Sequence, residues 1–343
     1  SYVSNGPFQI KGKCTSPYER SHNITLTGSG PWNVKLIRVS GRNNDETKFR
    51  ALAFGGFTEV VDGKLRHPLS ALSALRFEAT QFQQVPTRSY DIKGIKVQIP
   101  SNATVDSTNG RLIYSGVWDG QFQTAWCADP AWILRDLILS DRYGLGNFVS
   151  ATEVDKWSLY EISKYSNELI NDGQGSTEPR FLCNVYLQTQ DEAFNVVQDF
   201  ASIFRGMAYW SAGQIAFSGD HPSDPVALFN NSNVINRDFT YEGSSLKARH
   251  TVALVTWNDP ETEYEQKVEY VSDEDAIAKF GIVETRVAAF ACTSRGQANR
   301  AGRWLLYQEQ NENSTVTFKV GLDGAIVRPG QIIKVFDETR AGV

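Results

Sequence analysis

The sequence predicts a multi-domain α+β protein, with β-rich, barrel- or sandwich-like regions flanking a central helical α+β region. Three observations predict it. Apolar and polar residues alternate at both ends, in "NITLTG" and "WNVKLIRVS" near the start and in "HTVALVTW", "QKVEYV" and "STVTFKVGL" in the last third. Between them lie capped segments with apolar residues at helical spacing. The 343 residues fit about two or three domains of ordinary size. The boundaries read from these shifts are 1–88 for a β-rich sandwich-like domain, 89–128 for a β segment, 129–232 for a helical α+β domain, and 233–343 for a β-rich domain with two helices.

Each element has a local reason. "GSGP" separates the first two strands, and "GGFTEVVDGKL" and "ALRFEA" extend the pattern. Residues 90–100, "YDIKGIKVQIP", read as a strand pair or one long strand, and "SNATVDSTNGR" as a turn-rich loop. Asp129 is a candidate N-cap with Pro130 at the first helical position, where its missing N–H costs nothing. "AWILRDLILSDRY" follows, with Gly144 expected as a left-handed C′ residue. Trp132, Ile133, Leu134, Leu137, Ile138 and Leu139 nearly encircle that helix, which predicts burial on more than one side.

Ser150 and Glu153 form a capping box predicted to open a helix running to about Asn171, with Val154, Trp157, Ile162, Tyr165 and Leu169 on one face. Thr189 and Glu192 form a second box, before Ala193, Val197, Phe200 and Phe204. Gly206 is expected to end that helix, and "MAYWSAGQIAFSG" to form a hairpin. "IVETRVAAFA" and "GQIIKVF" complete the later strands. Ser272 and Gly281 bracket a short helix, "DEDAIAKFG"; a longer one starts at Ser294, with Gln297 at N3, and runs to about Gln310.

Composition excludes several classes. With 34 basic and 39 acidic residues the net charge is -5, which argues against nucleic acid or an anionic membrane as the main partner. Cys14, Cys127, Cys183 and Cys292 are widely spaced, as reduced thiols in a protein folded in a reducing cytoplasm would be. His22, His67, His221 and His250 form no metal-binding spacing. The start lacks both an initiating Met and the apolar stretch of a secretory signal, so the chain reads as a piece of something longer. Asp119, Asp129, Asp136 and Asp141 lie near tryptophans, as glycosidase acids would. Asp129 already has a capping role, Asp136 and Asp141 point to different helix faces, and Asp141 can pair with Arg142. No nucleophile elbow or phosphate loop occurs. The acids of "SDEDA" suit a helix dipole, and Arg295, Arg300 and Arg303 read as a solvated face or ion-pair partners. The expectation is a non-enzyme without cofactor or metal.

Aromatics remain. Trp118, Trp126 and Trp132 are three of eight tryptophans within "GVWDGQFQTAWCADPAW". Such a cluster can be core, subunit interface or sugar platform. The expected packing and interface residues are Trp118, Trp126, Trp132, Leu137, Ile138 and Tyr143, the tryptophans locking the β segment onto the first helix.

This stretch and "SDRYGLGN", "VDKWSLY", "DGQGSTEPRFLCN", "FRGMAYWSAGQI" and "CTSRGQANRAGRW" occur in an order that resembles the phage tail-tip family typified by the host-specificity protein J of phage lambda. The resemblance spans about 13–324. It implies a structural protein in the virion, assembled in the bacterial cytoplasm: a homotrimeric central hub that continues the tube of a long non-contractile tail. Implied partners are other copies of the chain, other tail-tip proteins and the tape-measure protein, with phage DNA passing the lumen without specific binding. Host-receptor recognition belongs to a C-terminal region outside this sequence. The rival reading is a carbohydrate-binding or carbohydrate-cleaving module of a phage adhesion device.

Overall fold

The computed structural model describes 84–187, 191–243, 249–312 and 314–340 continuously, and before them 6–9, 21–26, 28, 30–39, 55–58, 63, 66–68 and 70–76. The chain divides into two compact units, Ser1–Pro86 and Thr87–Val343. Residues 23–26 and 32–39, read above as strands, are in no strand among the described residues. Alternation marks a segment that can pair, but a strand exists only with its partner. Much of "GGFTEVVDGKL" and "ALRFEA" lies outside the described residues, as do Cys14 and Thr189.

In the second unit β1 (Val97–Pro100) pairs antiparallel with β4 (Phe122–Ala125), and β2 (Ala103–Val105) with β3 (Leu112–Tyr114). Helices α1 (Pro130–Leu139) and α2 (Lys156–Ser166) follow, then the pair β5 (Leu169–Asn171) and β6 (Thr177–Pro179). Next come α3 (Ala193–Ile203) and the hairpin of β7 (Gly206–Ser211) and β8 (Gln214–Gly219). Strand β9 (Ala227–Asn230) pairs parallel with the late β15 (Ile333–Phe336), and β10 (Val234–Gly243) antiparallel with β14 (Ser314–Val320). Strand β11 (Val252–Asp259) lies between antiparallel β12 (Glu265–Ser272) and parallel β13 (Glu284–Ala288). Helix α4 (Glu274–Phe280) links β12 to β13, and α5 (Arg295–Asn311) packs on β11 and β12. The α+β class holds, with small sheets and no closed barrel among the described residues.

Several predicted ends move. Helix α1 stops at Leu139, not Tyr143, and Gly144 is not left-handed. The chain folds back instead: Gly144 and Gly146 donate N–H bonds to the Ser140 carbonyl, and Leu145 to that of Ile138. A Cβ at Gly144 would lie 1.6 Å from the Leu137 oxygen, so glycine serves close approach there rather than a positive φ. The Ser150–Glu153 box opens only a short 3₁₀ turn; the cap of α2 is Asp155, which accepts from the N–H groups of Trp157 and Ser158. Helix α2 ends at Ser166, because Asn167 turns inward and Leu169–Asn171 pairs as a strand. After α3, Arg205 takes the left-handed backbone (φ 56). Gly206 begins β7, where a Cβ would lie 2.2 Å from the Ser218 oxygen. The cap of α4 is Asp273, not Ser272.

Candidate functional site: the aromatic core around the first helix

Helix α1 starts where Asp129 accepts the Trp132 N–H at 2.9 Å. Asp129 is fully buried, and its second oxygen accepts from Ser163 Oγ at 2.5 Å and Asn167 Nδ2 at 2.5 Å. Asn167 Oδ1 accepts the Leu112 N–H at 2.7 Å, which ties the end of α2 to β3. Tyr114 and Ser163 share a 2.5 Å hydroxyl contact, and Trp132 Nε1 donates to the Tyr114 hydroxyl at 2.9 Å. The ring Asp129–Ser163–Tyr114–Trp132 thus fastens β3, α1 and α2. Desolvation raises the pKa of the Asp129 carboxyl despite its donors, and raises those of Tyr114, Cys127 and Cys183. Shut from water and saturated with partners, the network holds position rather than handling substrate protons.

Trp118 is the centre of the adjoining aromatic cluster. It meets Phe122 at 5.2 Å, Trp132 at 5.7 Å and Trp157 at 4.9 Å edge-on, and stacks on Tyr160 at 4.9 Å. Its Nε1 donates to the Gln121 carbonyl, closing the "WDGQ" turn. Asp119 accepts from the Gln121 N–H and from Ser101 Oγ, and these bonds, the backbone one first, hold its carboxyl below the usual range. Lys156 donates to the Gly120 carbonyl and lies 5.3–5.4 Å from the ring centres of Trp157 and Trp118. A sugar platform needs an open indole face; Trp118 is buried among four rings and a lysine.

Among the expected packing residues, Trp118, Trp132 and Ile138 lie in one core cluster. Leu137 packs half-buried against it, whereas Tyr143 is half-exposed and donates its hydroxyl to Asp136. Trp126 stands apart from this ring cluster, under Lys93 at 4.6 Å. Spacing does not reveal Trp157, Tyr160, Tyr114, Ser163 and Asn167 as members, because their place depends on how α2 and β3 dock on α1. Asp119, Asp129 and Asp136 all have protein partners. A shallow cavity of about 400 Å³, lined by Ile99, Ser101, Asn102, Thr104 and Gln123 among others, carries no acid, histidine or cysteine.

A polar seam ties α5 to β6 and the segment after it. Glu178 accepts from Arg300 Nη1 at 2.5 Å and from Ser294 Oγ. Arg300 Nη2 donates to the Arg180 carbonyl at 3.0 Å. Gln297 bonds both backbone groups of Leu182, at 3.0 and 3.1 Å. Arg295 pairs with Glu269 at 2.7 Å, so two of the three arginines are ion-pair partners while Arg303 is exposed. Cys127, Cys183 and Cys292 are free and buried. Among the described residues no acid, histidine or cysteine cluster could hold a metal, and no helix is long and apolar enough to cross a membrane.

Comparison with known proteins adds a second line. The family described as "Putative phage tail protein" matches 192–343, and "Tip attachment protein J, FNIII-A domain" matches 1–63. The tip attachment protein J of Escherichia phage SECphi27 is 40% identical over 332 residues, 96% of this chain and 27% of that protein. That of Escherichia phage SECphi4 is 33% identical over 339 residues, 98% of this chain and 29% of that protein. The chain thus spans under a third of the length of these relatives. The crystal structure of the tail protein from Neisseria meningitidis MC58 aligns over 49% of this chain and 51% of that one, with 14% identity and a TM-score of 0.35.

Proposed function

The chain belongs to the tip attachment protein J family of phage tail proteins, and from that premise we propose that it is a structural part of the tip of a long non-contractile tail. In this reading it builds the central hub that continues the tail tube and carries the host-recognition region of the longer protein. The observation that carries it is 40% identity across 96% of the chain. The site geometry supports it: aromatic rings pack on one another and the buried Asp129 carboxyl is bonded to Ser163 and Asn167, as in a structural part rather than a catalyst.

The assembled form is a homotrimer in the virion tail tip, touching other tail-tip proteins and the tape-measure protein. The net charge of -5 lets DNA pass a lumen without adhering, since phosphate binding requires cations. Free buried thiols suit assembly in the bacterial cytoplasm. Tyr143 is half-exposed beyond the end of α1, and this reading assigns it to the subunit-facing side. Electron microscopy of particles made without the protein tests the reading. Absent or unfinished tails are expected; full-length tails with normal tips would refute it. Specific binding on a glycan array with release of reducing sugar would favour the carbohydrate reading instead.

A further inference from the structure

Arg135 lies on α1 and is 7% exposed, yet its guanidinium has no hydrogen-bond acceptor and no ion pair among the described residues. Its Nε is sealed from water without a partner. The head lies 4.2 Å from the Phe122 ring centre. Arginine stays charged in proteins, and a ring face offsets only part of the cost of burying that charge. The facing charges do not complete it. Asp136, the one acid in electrostatic contact, accepts from the Tyr143 hydroxyl. Lys156, 5.9 Å from the same Phe122 ring, adds a second cation, and Asp119 near it is held by Gln121 and Ser101.

We propose that Arg135 is a docking point for an acidic side chain of an adjoining polypeptide in the assembled tail tip. The inference rests on the tail-tip reading. With Nε sealed, the ligand must approach the two Nη groups, a fork that matches one carboxylate. The face that the guanidinium covers is apolar: Phe122 lies under it and touches the buried Trp118. A nearly buried charge on an aromatic face fits a protein partner that excludes water, more than a free ion. The neighbouring acids disfavour a polyphosphate chain.

Two variants test it in phage particles carrying the full-length protein. Arg135→Lys places an amine there that carbodiimide can join to a carboxylate. The expected product is a crosslinked peptide from position 135 to an Asp or Glu of another polypeptide, absent from wild-type particles. Arg135→Met is expected to leave the melting temperature of the isolated chain unchanged or higher, because an unpaired buried cation is removed, while infectious titre falls about tenfold or more. A crosslink back to Asp119 or Asp136, no crosslink in particles that contain the protein, or a wild-type titre for Arg135→Met would each overturn the docking point. Absence of the protein from the particles would overturn the tail-tip reading and this inference with it.

Discussion

Helix α1 and helix α5 both hold strands, but they treat their polar needs differently. Every residue of α1 is buried or half-buried, and its N-terminus is capped inside the protein by Asp129, whose other oxygen accepts from Ser163 and Asn167. Helix α5 buries one stripe, Ala298, Gly302 and Leu306, against Val255 and Val271, and leaves Arg295, Arg303, Tyr307 and Asn311 outside. Its fixings are ion pairs at its first turns, Arg295 to Glu269 and Arg300 to Glu178. An enclosed helix needs a closed polar network because water cannot substitute for a missing partner. A one-sided helix can use partly exposed charges, which water still serves.

The largest effect that would break this contrast is expected at α1. Trp132→Ala should cost about 3–5 kcal/mol, as a cavity in a core that cannot flood, read as a shift in urea midpoint. An unchanged midpoint would show that α1 is less enclosed than its rings imply. Glu178→Ala should cost about 2–3 kcal/mol by stranding the half-buried Arg300. Because the seam joins α5 to β6 and the segment after it, unfolding followed by fluorescence and by circular dichroism should then separate into two transitions; coincident curves would refute that coupling role.

Asp129 gives a pH test. Burial raises its carboxyl above the ordinary value of 3.8, so the protonated form favours the fold. That contribution is complete below the unfolded value and is lost as pH rises through the folded one. Relative to Asp129→Asn, the wild type should therefore lose stability from about pH 4 upward; parallel pH profiles for the two proteins would contradict a buried carboxyl. Gly302→Ala sharpens the other side. An added Cβ would lie 2.8 Å from Val271 Cγ2 and 2.9 Å from Val255 Cγ2. Overpacking by about 1–3 kcal/mol should exceed the helix gain of about 1 kcal/mol, for a net loss in thermal stability; a higher melting temperature would mean that the α5 seam has slack. Lys164→Ala, at the exposed pair with Glu161, should change the melting free energy by less than about 0.5 kcal/mol, and a larger loss would show that surface charge also matters near α2.

Local chemistry was legible wherever it acts within a few residues. The Asp129 cap, the Ser294 cap with Gln297 at N3 and the β7–β8 hairpin all stand where spacing puts them. Helix ends at Leu139 and Ser166 were misplaced, since a backbone fold-back and a side chain drawn to Asp129 terminate them. Very short pairs such as β2–β3 and β5–β6 carry too few residues to show a period.

By itself the sequence determined the α+β class, the main caps, the family resemblance and the all-round apolarity of α1, because each is written in neighbouring residues or in ordered motifs. Only the tertiary structure decided that Trp118 and Trp132 meet, that Trp126 lies under Lys93 instead, that Ser163 and Asn167 close around Asp129, and that Arg135 has no anion bonded to it among the described residues. The reason is that these contacts join residues far apart in the chain, and their geometry follows from how α2 and the β segment dock on α1, which no local pattern encodes.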